Sequence, residues 1–249
     1  NKVLVIGDSC LDEYIYCTAS RFCPDAPVPI LKPESFVSTL GMAGNVVDNL
    51  EALGIEVELI SNANKIKKTR YVDSKTNHMF FRIDEGEDDV FPMAQKSLDN
   101  INWEDYNAVV ISDYCKGFVD ENTIEYISKQ HPITFLDTKK QIGSWVKDIT
   151  FIKINDVEYR YSEKFIDNNY QDSLIITRGS NGAEYKGNTY SVKKVDVKDT
   201  SGAGDSFLAG LVGNYLETYN IVEAIKFANK CATQVVQKKG TAKIDKNEI

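Results

Sequence analysis

A short run of small and acidic residues, DTSGAGD at positions 199–205, stands directly before an apolar-periodic segment that predicts a helix. Backbone N–H groups at a helix start have no partner within the helix, and the helix dipole adds partial positive charge there. Gly202, Ala203 and Gly204 carry little or no side chain, so a phosphate could approach this backbone closely. The run therefore predicts an anion-binding site.

Asp205 is the unusual residue of this run, because a carboxylate beside an anion site would normally repel the ligand. One explanation is that it accepts a proton from a hydroxyl group that attacks a bound phosphoryl group. The other is that it is an ordinary first-turn acid that stabilises its own helix. The residues of the run alone do not decide between these two roles.

The elements that must position this run follow an alternating pattern. Six apolar runs predict strands covered on both faces, at residues 3–6, 57–60, 108–111, 133–136, 151–154 and 174–177. Helix-like patterns lie between them, such as residues 43–53, which end before Gly54 at a favoured C-cap position. Strands alternating with helices predict an α/β fold with a doubly wound, mostly parallel sheet flanked by helices.

Two segments break that alternation, residues 12–38 and residues 69–84. The first carries four prolines among extended-looking residues, and the second has a strand-like composition with no helix after it. We expect both to form a small antiparallel β lid beside the main sheet; the alternative is a pair of ordinary surface loops. Because no repeat or Pro/Gly-rich linker divides the chain, we predict a single domain over residues 1–249.

The overall charge and composition argue against several classes of function. The chain has 249 residues and a formal net charge of −8, whereas nucleic-acid binders usually carry a basic face. No apolar stretch is long enough to span a membrane, and the first residues do not resemble a secretory signal. Five scattered cysteines without metal-ligand spacing are typical of a reducing compartment. We therefore expect a cytoplasmic protein that binds neither nucleic acid nor membrane.

The two common nucleotide-binding signatures are missing from the sequence. There is no GxxxxGK[ST] phosphate loop, and no GxGxxG follows the first predicted strand. Any nucleotide site must therefore belong to another architecture.

Several segments resemble the ribokinase-like (PfkB) carbohydrate kinases. DTSGAGD at 199–205 resembles their C-terminal signature, and GMAGN at 41–45 resembles their N-terminal one. NDVE at 155–158 matches their NxxE motif, and residues 177–179 and 239–242 resemble two later family segments. These matches stand in the family's order and cover nearly the whole chain. The resemblance implies a ribokinase-like fold and an ATP-dependent sugar kinase.

Within that family, further segments resemble the kinases of D-glycero-β-D-manno-heptose 7-phosphate; they are residues 7–14, 21–29, 68–70, 81–84 and 112–117. A substrate that already carries a phosphate would give Arg70, Arg82 and Lys116 a role, because a distal phosphate needs cationic partners. The resemblance thus implies phosphorylation at O1 of this heptose phosphate. The alternatives are a kinase for another sugar or a nucleoside, and a non-catalytic homologue that only binds nucleotide or sugar phosphate.

The resemblance also implies roles for single residues. Asp205 would be the catalytic base, and the amides of Gly202, Ala203 and Gly204 would face the transferred group. Sugar hydroxyls would be held by Asp12, Gly41 and Asn45. The residues expected to contact ATP are Asn155, Arg178, Gly179, Gly202 and Gly204.

A metal ion and a partner chain are further implications of the resemblance. Mg²⁺ would accompany ATP and would be held by Glu158 and Asn155, mainly through water. Because lids of this family often pair between two subunits, we expect a homodimer formed through the lid.

Three residues depart from the family pattern. Met42 and Cys115 stand where glycine is usual, and Ile154 stands where proline is usual. The chain is also short for the family, because a strand and a helix expected between Ile60 and Lys67 are missing. A second stretch, before the last of the six predicted strands, is abbreviated. These departures lie outside the catalytic signature, so they bear on the substrate more than on the reaction.

Overall fold

A computed structural model describes all residues of the chain, Asn1–Ile249. The strands are β1 (Lys2–Gly7), β2 (Ser9–Phe22), β3 (Pro29–Met42), β4 (Glu56–Ser61), β5 (Ile66–Asp73), β6 (Met79–Glu85), β7 (Ala108–Asp113), β8 (Thr134–Thr138), β9 (Phe151–Asn155), β10 (Leu174–Thr177), β11 (Ala183–Tyr185) and β12 (Asn188–Tyr190). The helices are α1 (Ala43–Ala52), α2 (Gln95–Asp99), α3 (Glu121–Gln130), α4 (Asp156–Ser162), α5 (Asn168–Gln171), α6 (Ala203–Thr218) and α7 (Ile221–Val235).

The larger sheet has eight strands in the order β12-β11-β10-β9-β8-β7-β1-β4. The six strands from β10 to β4 in this order pair in parallel, and β11 and β12 add an antiparallel edge. These six are the strands expected from the apolar runs, so both their positions and the mostly parallel sheet are confirmed. Five of them are buried almost throughout, because helices cover both faces of the sheet. The exception is β4, which was also expected to be covered on both faces but is only partly buried, because it is the edge strand.

Helices cover both faces of the larger sheet. On one face α1, α6 and α7 pack around a core that includes Val46, Leu50 and Leu211. On the other face α3 contributes Ile124 and Ile127 to a second core. The predicted helix over 43–53 corresponds to α1 and its C-cap residue. None of the helices combines the length and the apolar character needed to cross a bilayer.

A second, separate sheet has four strands in the order β3-β2-β5-β6, and it contains both segments that we expected to form a lid. Its outer pairings are antiparallel, but β2 and β5 run parallel. The reason is the connectivity: β2 follows β1 and β5 follows β4, and β1 and β4 are parallel neighbours. The small sheet is therefore confirmed with one difference, since its central pairing is parallel.

The link between the two sheets is short. Only residues 62–65 separate β4 from β5, so no strand or helix intervenes there. The amide side chain of Asn62 accepts a hydrogen bond from the backbone N of Ser9 at 2.7 Å and donates one to its carbonyl at 3.1 Å. This side chain thus pairs with backbone groups at the point where the chain passes from β1 and β4 of the larger sheet into β2 and β5 of the smaller sheet.

Candidate active site

A cavity of about 820 Å³ opens at the carboxyl ends of β8, β9 and β10, which is where open α/β sheets hold ligands. Lys139, Asn155 and Thr177 line it from the strand ends. The start of α6, Gly202 to Asp205, lines the opposite side. The cavity thus lies between the sheet edge and the helix start that the sequence predicts to bind an anion.

The start of α6 depends on a glycine. Gly202 is the N-cap residue at φ 76°, in the left-handed region that favours glycine, and no side chain caps this helix. A Cβ at Gly202 would also lie only 2.7 Å from Nδ2 of Asn45. The helix start is therefore free of competing side-chain acceptors, and its backbone can be approached closely by a phosphate.

Asp205 lies in the first turn of α6 and is 4% exposed. Its Oδ1 accepts a hydrogen bond from the hydroxyl of Tyr114 at 2.5 Å, and its Oδ2 accepts one from Nδ2 of Asn45 at 2.7 Å. Burial raises the pKa of Asp205 to about 6, although these two hydrogen bonds favour the charged form. A carboxylate with a pKa near neutrality is suited to accept a proton from a hydroxyl group.

Asn45 is itself held by a second asparagine one helical turn later. Nδ2 of Asn49 donates to the carbonyl oxygen of Asn45 at 2.7 Å and to its Oδ1 at 3.0 Å. Oδ1 of Asn49 in turn accepts from the backbone N of Ile244 at 2.9 Å. The bond to Oδ1 of Asn45 leaves its amide nitrogen facing Asp205, so Asn49 positions the donor that holds this carboxylate.

Tyr114 lies in the loop after β7, and the buried carboxylate of Asp8, which follows β1, holds the backbone of that loop. Asp8 accepts hydrogen bonds from the backbone N–H groups of Tyr114 at 2.8 Å, Lys116 at 3.1 Å and Phe118 at 3.2 Å. Burial and the negative charge of Asp205 raise the pKa of Tyr114 well above its ordinary value. The tyrosine therefore stays protonated and acts as a donor to Asp205.

Two lysines that line the cavity, the buried Lys153 and the exposed Lys139, are paired with two buried carboxylates. Nζ of Lys153 donates to Oδ2 of Asp137 at 2.7 Å, and Nζ of Lys139 donates to Oε1 of Glu158 at 2.5 Å. Lys139 also lies 3.8 Å from Oδ1 of Asp137. Burial alone would raise the pKa of Asp137, but the charges of Lys153 and Lys139 hold it below its ordinary value. Asp137 is therefore ionised at neutral pH.

Asn155 and Glu158 form a capping box at the start of α4. Oδ1 of Asn155 accepts from the backbone N of Val157 and of Glu158, and Oε2 of Glu158 accepts from the backbone N of Asn155. This arrangement is a local reason for an asparagine and a glutamate three residues apart. Asn155 also lines the cavity, and Glu158 is joined to the lining residues through hydrogen bonds from Asn155 and Lys139.

The residues present fit a magnesium ion that is held mainly by substrate phosphates and water. No group of three or more His, Cys, Asp or Glu side chains is gathered to form a protein cage. Oε2 of Glu158 accepts a single hydrogen bond, which leaves it able to accept another from a metal-bound water. Magnesium usually keeps several waters and needs only one or two carboxylates beside phosphates.

The two residues expected at the turn after β10 are placed differently. Gly179 lines the cavity. Arg178 does not, because its guanidinium group is held by Asp156 and, at 2.8 Å, by Glu184, and it lies over the ring of Tyr159. The structure therefore engages Arg178 in a network of ion pairs beside the cavity.

The residues expected to hold sugar hydroxyls lie on the side of the second sheet. Asp12 in β2 is opposite Thr39 in β3, next to Gly41, and a Cβ at Gly41 would collide with Oδ2 of Asp12. Arg70 in β5 donates to Oδ1 of Asp12 at 2.6 Å. Asp12, Gly41 and Arg70 are therefore brought together, whereas Asn45, in α1, contacts Asp205.

The three cations expected to bind a distal phosphate each have a carboxylate partner. Arg70 is paired with Asp12, and Arg82 in β6 is paired with Asp84 on the same strand. Lys116 is paired with Glu87 at 2.7 Å, and that carboxylate also accepts from Lys68 at 2.7 Å. Arg70 and Arg82 are nevertheless direct cross-strand partners on β5 and β6, and Lys116 is joined to β5 through Glu87 and Lys68.

Both departures from a family glycine fall at left-handed backbone positions. Met42 has φ 57° and Cys115 has φ 56°. Such values are costly for residues with a Cβ. The side chain of Met42 is buried against Cys10 and Ile66, which offsets the cost, whereas that of Cys115 is exposed.

Sequence reasoning missed five residues of this site: Tyr114, Asn49, Asp137, Lys139 and Lys153. Two signals could have found some of them. Polar residues that directly follow a parallel strand lie at the sheet edge where ligands bind, as Tyr114 and Lys139 do. A lysine within an apolar strand, as in FIKIN at 151–155, is unusual enough to suggest a buried partner.

The pfkB family carbohydrate kinase model matches residues 62–247, which is most of the chain and includes Asp205. The chain belongs to the PfkB family of carbohydrate kinases. It is therefore a sugar or nucleoside kinase, as the resemblance of its sequence motifs implies.

Relatives with curated names include bifunctional proteins HldE. The one from a Nitratiruptor species is 29% identical over 298 residues, covering 100% of this chain and 64% of the relative. The one from Helicobacter acinonychis (strain Sheeba) is 29% identical over 303 residues, covering 100% of this chain and 65% of the relative. This PfkB kinase chain thus spans slightly less than two thirds of these proteins. The alignment of 298 residues is longer than this chain of 249 residues, so part of the relative's aligned region has no counterpart here.

Solved structures of the ribokinase family share this fold. The nucleoside kinase of Methanocaldococcus jannaschii has a TM-score of 0.68 at 19% identity, covering 99% of this chain and 94% of that one. Phosphofructokinase-2 from Escherichia coli has a TM-score of 0.72 at 13% identity, covering 99% and 96%. These similarities show that the PfkB kinase has the ribokinase-like fold.

Proposed function

We propose that this kinase transfers the γ-phosphate of ATP to O1 of D-glycero-β-D-manno-heptose 7-phosphate. The observation that carries the proposal is the buried carboxylate of Asp205, held by two donors at an uncapped helix start beside a large cavity. The sequence motifs that resemble heptose 7-phosphate kinases support the substrate, as does the similarity to proteins named HldE.

Asp205 is the proposed base of the reaction. Its carboxylate takes the proton from O1 of the sugar while O1 attacks the γ-phosphorus and the bond from that phosphorus to the bridging oxygen of ADP breaks. The products are the 1,7-bisphosphate and ADP. The amides of Gly202, Ala203 and Gly204 face the charge that develops on the transferred group. Because the pKa of Asp205 is about 6, the base is mostly ionised at neutral pH.

Magnesium, when bound with ATP, would neutralise charge on the phosphates during transfer. Glu158 and Asn155 are the proposed residues that hold its water shell, and their capping box fixes both side chains for this purpose. Asn155, Gly179, Gly202 and Gly204 line the cavity and are proposed to contact ATP. Arg178 is proposed to neutralise charge on the nucleotide phosphates only by exchanging one of its carboxylate partners, Asp156 or Glu184, for a phosphate oxygen.

The sugar is proposed to lie between the base and the second sheet. Asp12, Gly41 and Asn45 would hold its hydroxyls, and Arg70 and Lys116 would meet the distal phosphate. A phosphate that binds there would replace Asp12 and Glu87 as partner of these cations. Arg82, which is exposed and paired with Asp84, would contribute only when the sheet closes over the sugar and excludes water.

A homodimer through the second sheet is part of the proposal. Phe36, Ile15, Tyr71 and Phe81 stand opposite one another on β3, β2, β5 and β6, so they form one apolar row across all four strands. Phe36 is 58% exposed and Phe81 is 47% exposed. This exposed apolar row lies on the face away from Asp12, and a second copy of the same sheet would bury it.

A single domain and a cytoplasmic location stay predictions from the sequence.

A panel of acceptors tests the substrate. ADP formation would be measured with ATP, Mg²⁺ and equal concentrations of the heptose 7-phosphate, other sugar phosphates, free sugars and nucleosides, with Asp205→Asn as the blank. The proposal predicts a kcat/KM for the heptose 7-phosphate at least about 100-fold above that for unphosphorylated acceptors, because a bound phosphate contributes several charge-assisted hydrogen bonds. Turnover only with a free sugar or a nucleoside would remove the heptose assignment. No turnover with any acceptor, together with retained ATP binding, would favour a non-catalytic homologue.

A further inference from the structure

A buried lysine stands within the strand that ends at the cavity. Lys153 is the third residue of β9, and its side chain is 3% exposed. A charge in such a place is costly unless it is paired, so its retention calls for a reason. It is one of only two lysines that line the cavity from the strand ends, the other being Lys139.

The ammonium group of Lys153 reaches the start of α6. A Cβ at Gly204 would lie 3.0 Å from its Nζ, so the side chain ends against the backbone of the residue that precedes Asp205. This is the helix turn whose amides are proposed to face the transferred phosphoryl group. Lys153 and the helix start therefore present positive charge to the same point of the cavity.

The hydrogen bonds of Lys153 are incomplete. Its Nζ donates to Oδ2 of Asp137 at 2.7 Å and makes no other hydrogen bond. An ammonium group has three donors, so two remain for a ligand. Asp137 is buried and stays ionised, and its bond fixes the lysine without using up its donors.

We infer that Lys153 is a further catalytic residue, whose ammonium group binds the phosphoryl group as it passes from ATP to the sugar. The inference rests on the proposed kinase function. Lys153 forms no covalent bond and keeps its protons, while the sugar proton goes to Asp205. Its charge offsets the negative charge on the equatorial oxygens of the phosphoryl group, where phosphoryl transfer gains most from a placed cation. Asp137 acts through Lys153 and is a positioning residue.

The competing explanation is that Lys153 and Asp137 form an ion pair that only joins β8 to β9. The two explanations differ when both charges are removed together. A purely structural pair can be replaced by neutral side chains with little loss of function, because no buried charge is then left without a partner. A lysine that binds the phosphoryl group cannot be replaced in this way.

The experiment compares Lys153→Met with the double variant Asp137→Asn/Lys153→Met. The double variant keeps the test valid if the single variant fails to fold, since it leaves no unpaired charge in the core. Lys129→Met is the control, because Lys129 is an exposed residue of α3 paired only with Glu125. Thermal unfolding of each variant would be measured beside kcat, the KM of the acceptor, and the affinities for ADP and a non-hydrolysable ATP analogue.

We expect kcat to fall about 100-fold in both folded variants while the KM of the acceptor changes little. The affinity for the ATP analogue should fall about 10-fold, and that for ADP much less, because only the analogue carries the phosphoryl group that meets the lysine. A folded double variant with near-normal kcat and an unchanged preference for the analogue over ADP would overturn the inference.

The binding measurement needs no sugar, so it separates this inference from the proposed substrate. A wild-type protein that binds the ATP analogue but phosphorylates none of the acceptors would refute the proposed reaction, and the variants would still test the lysine. A wild-type protein that binds neither nucleotide would overturn both.

Discussion

The hydroxyl oxygen of Tyr114 lies 2.5 Å from Oδ1 of Asp205 and donates a hydrogen bond to it. Asn45 donates to the other carboxylate oxygen, so donors from two distant parts of the chain hold this one side chain. Burial opposes the ionised form of Asp205, and the two hydrogen bonds favour it. The balance leaves a carboxylate whose charge depends on pH in the range near neutrality.

Replacing Tyr114 by phenylalanine should move the pH dependence of catalysis. The wild-type kcat/KM should fall as the pH drops through about 6, because Asp205 then becomes protonated. Loss of the hydroxyl donor destabilises the carboxylate, so the acid limb of Tyr114→Phe should shift upward by about one pH unit. Tyr161→Phe, at an exposed tyrosine, is the control. An acid limb at the same pH in all three proteins would contradict the role given to Tyr114.

Asp205→Asn should change how stability depends on pH. A carboxyl group whose pKa is raised in the folded protein costs stability once the pH exceeds its unfolded value, and the cost grows until the pH passes the folded value. The rise of the Asp205 pKa from 3.8 to about 6 corresponds to on the order of 3 kcal/mol. The free energy of unfolding of Asp205→Asn, relative to wild type, should therefore increase by up to about that amount between pH 4 and pH 7. Urea unfolding at several pH values measures it; a constant difference would show that Asp205 is not a buried, destabilised carboxylate.

Most of the scaffold could be predicted from the sequence, because it is encoded locally. The apolar runs indicated all six parallel strands, and the helix over 43–53 was marked by its periodicity and by Gly54. The parallel pairing of β2 with β5 could not be predicted from the sequence of either strand. It depends on β1 and β4, which precede them, being parallel neighbours in the larger sheet.

The site was only partly predictable for the same reason. The DTSGAGD run is contiguous, so its chemistry shows in one stretch of sequence. Tyr114 and Asn45 meet Asp205 across 91 and 160 residues, and Lys153 meets Asp137 across 16. Contacts of this kind depend on which strands are neighbours, which single-sequence periodicity does not specify.

Cys115→Gly should stabilise the protein. Cys115 is exposed and has φ 56°, so the substitution relieves left-handed strain and removes no buried surface. We expect a gain of about 1 kcal/mol, or about 2–4 °C in the melting temperature. Cys115→Ala is the matched control, because alanine removes the thiol and keeps the strain. An equal effect of both substitutions would show that the backbone conformation is not the cause.

Placing a charge in the apolar row of the second sheet should separate the proposed dimer. In Phe36→Asp a carboxylate would face its counterpart across a two-fold interface, so the dimer should dissociate while the monomer stays folded. Analytical ultracentrifugation at micromolar concentration checks this, with Phe165→Asp as a control at an exposed aromatic residue outside both sheets. A wild-type protein that sediments only as a monomer would refute the proposed dimer.

The central claim is that Asp205 accepts the proton of the sugar hydroxyl at the anion-binding start of α6. Steady-state turnover of Asp205→Asn, measured beside calorimetric ATP binding, tests it most directly. The account predicts a loss of kcat of about 1,000-fold or more with ATP affinity within a few-fold of wild type, because the amide keeps the shape of the side chain but cannot take the proton. A folded Asp205→Asn protein with near-normal kcat would contradict it.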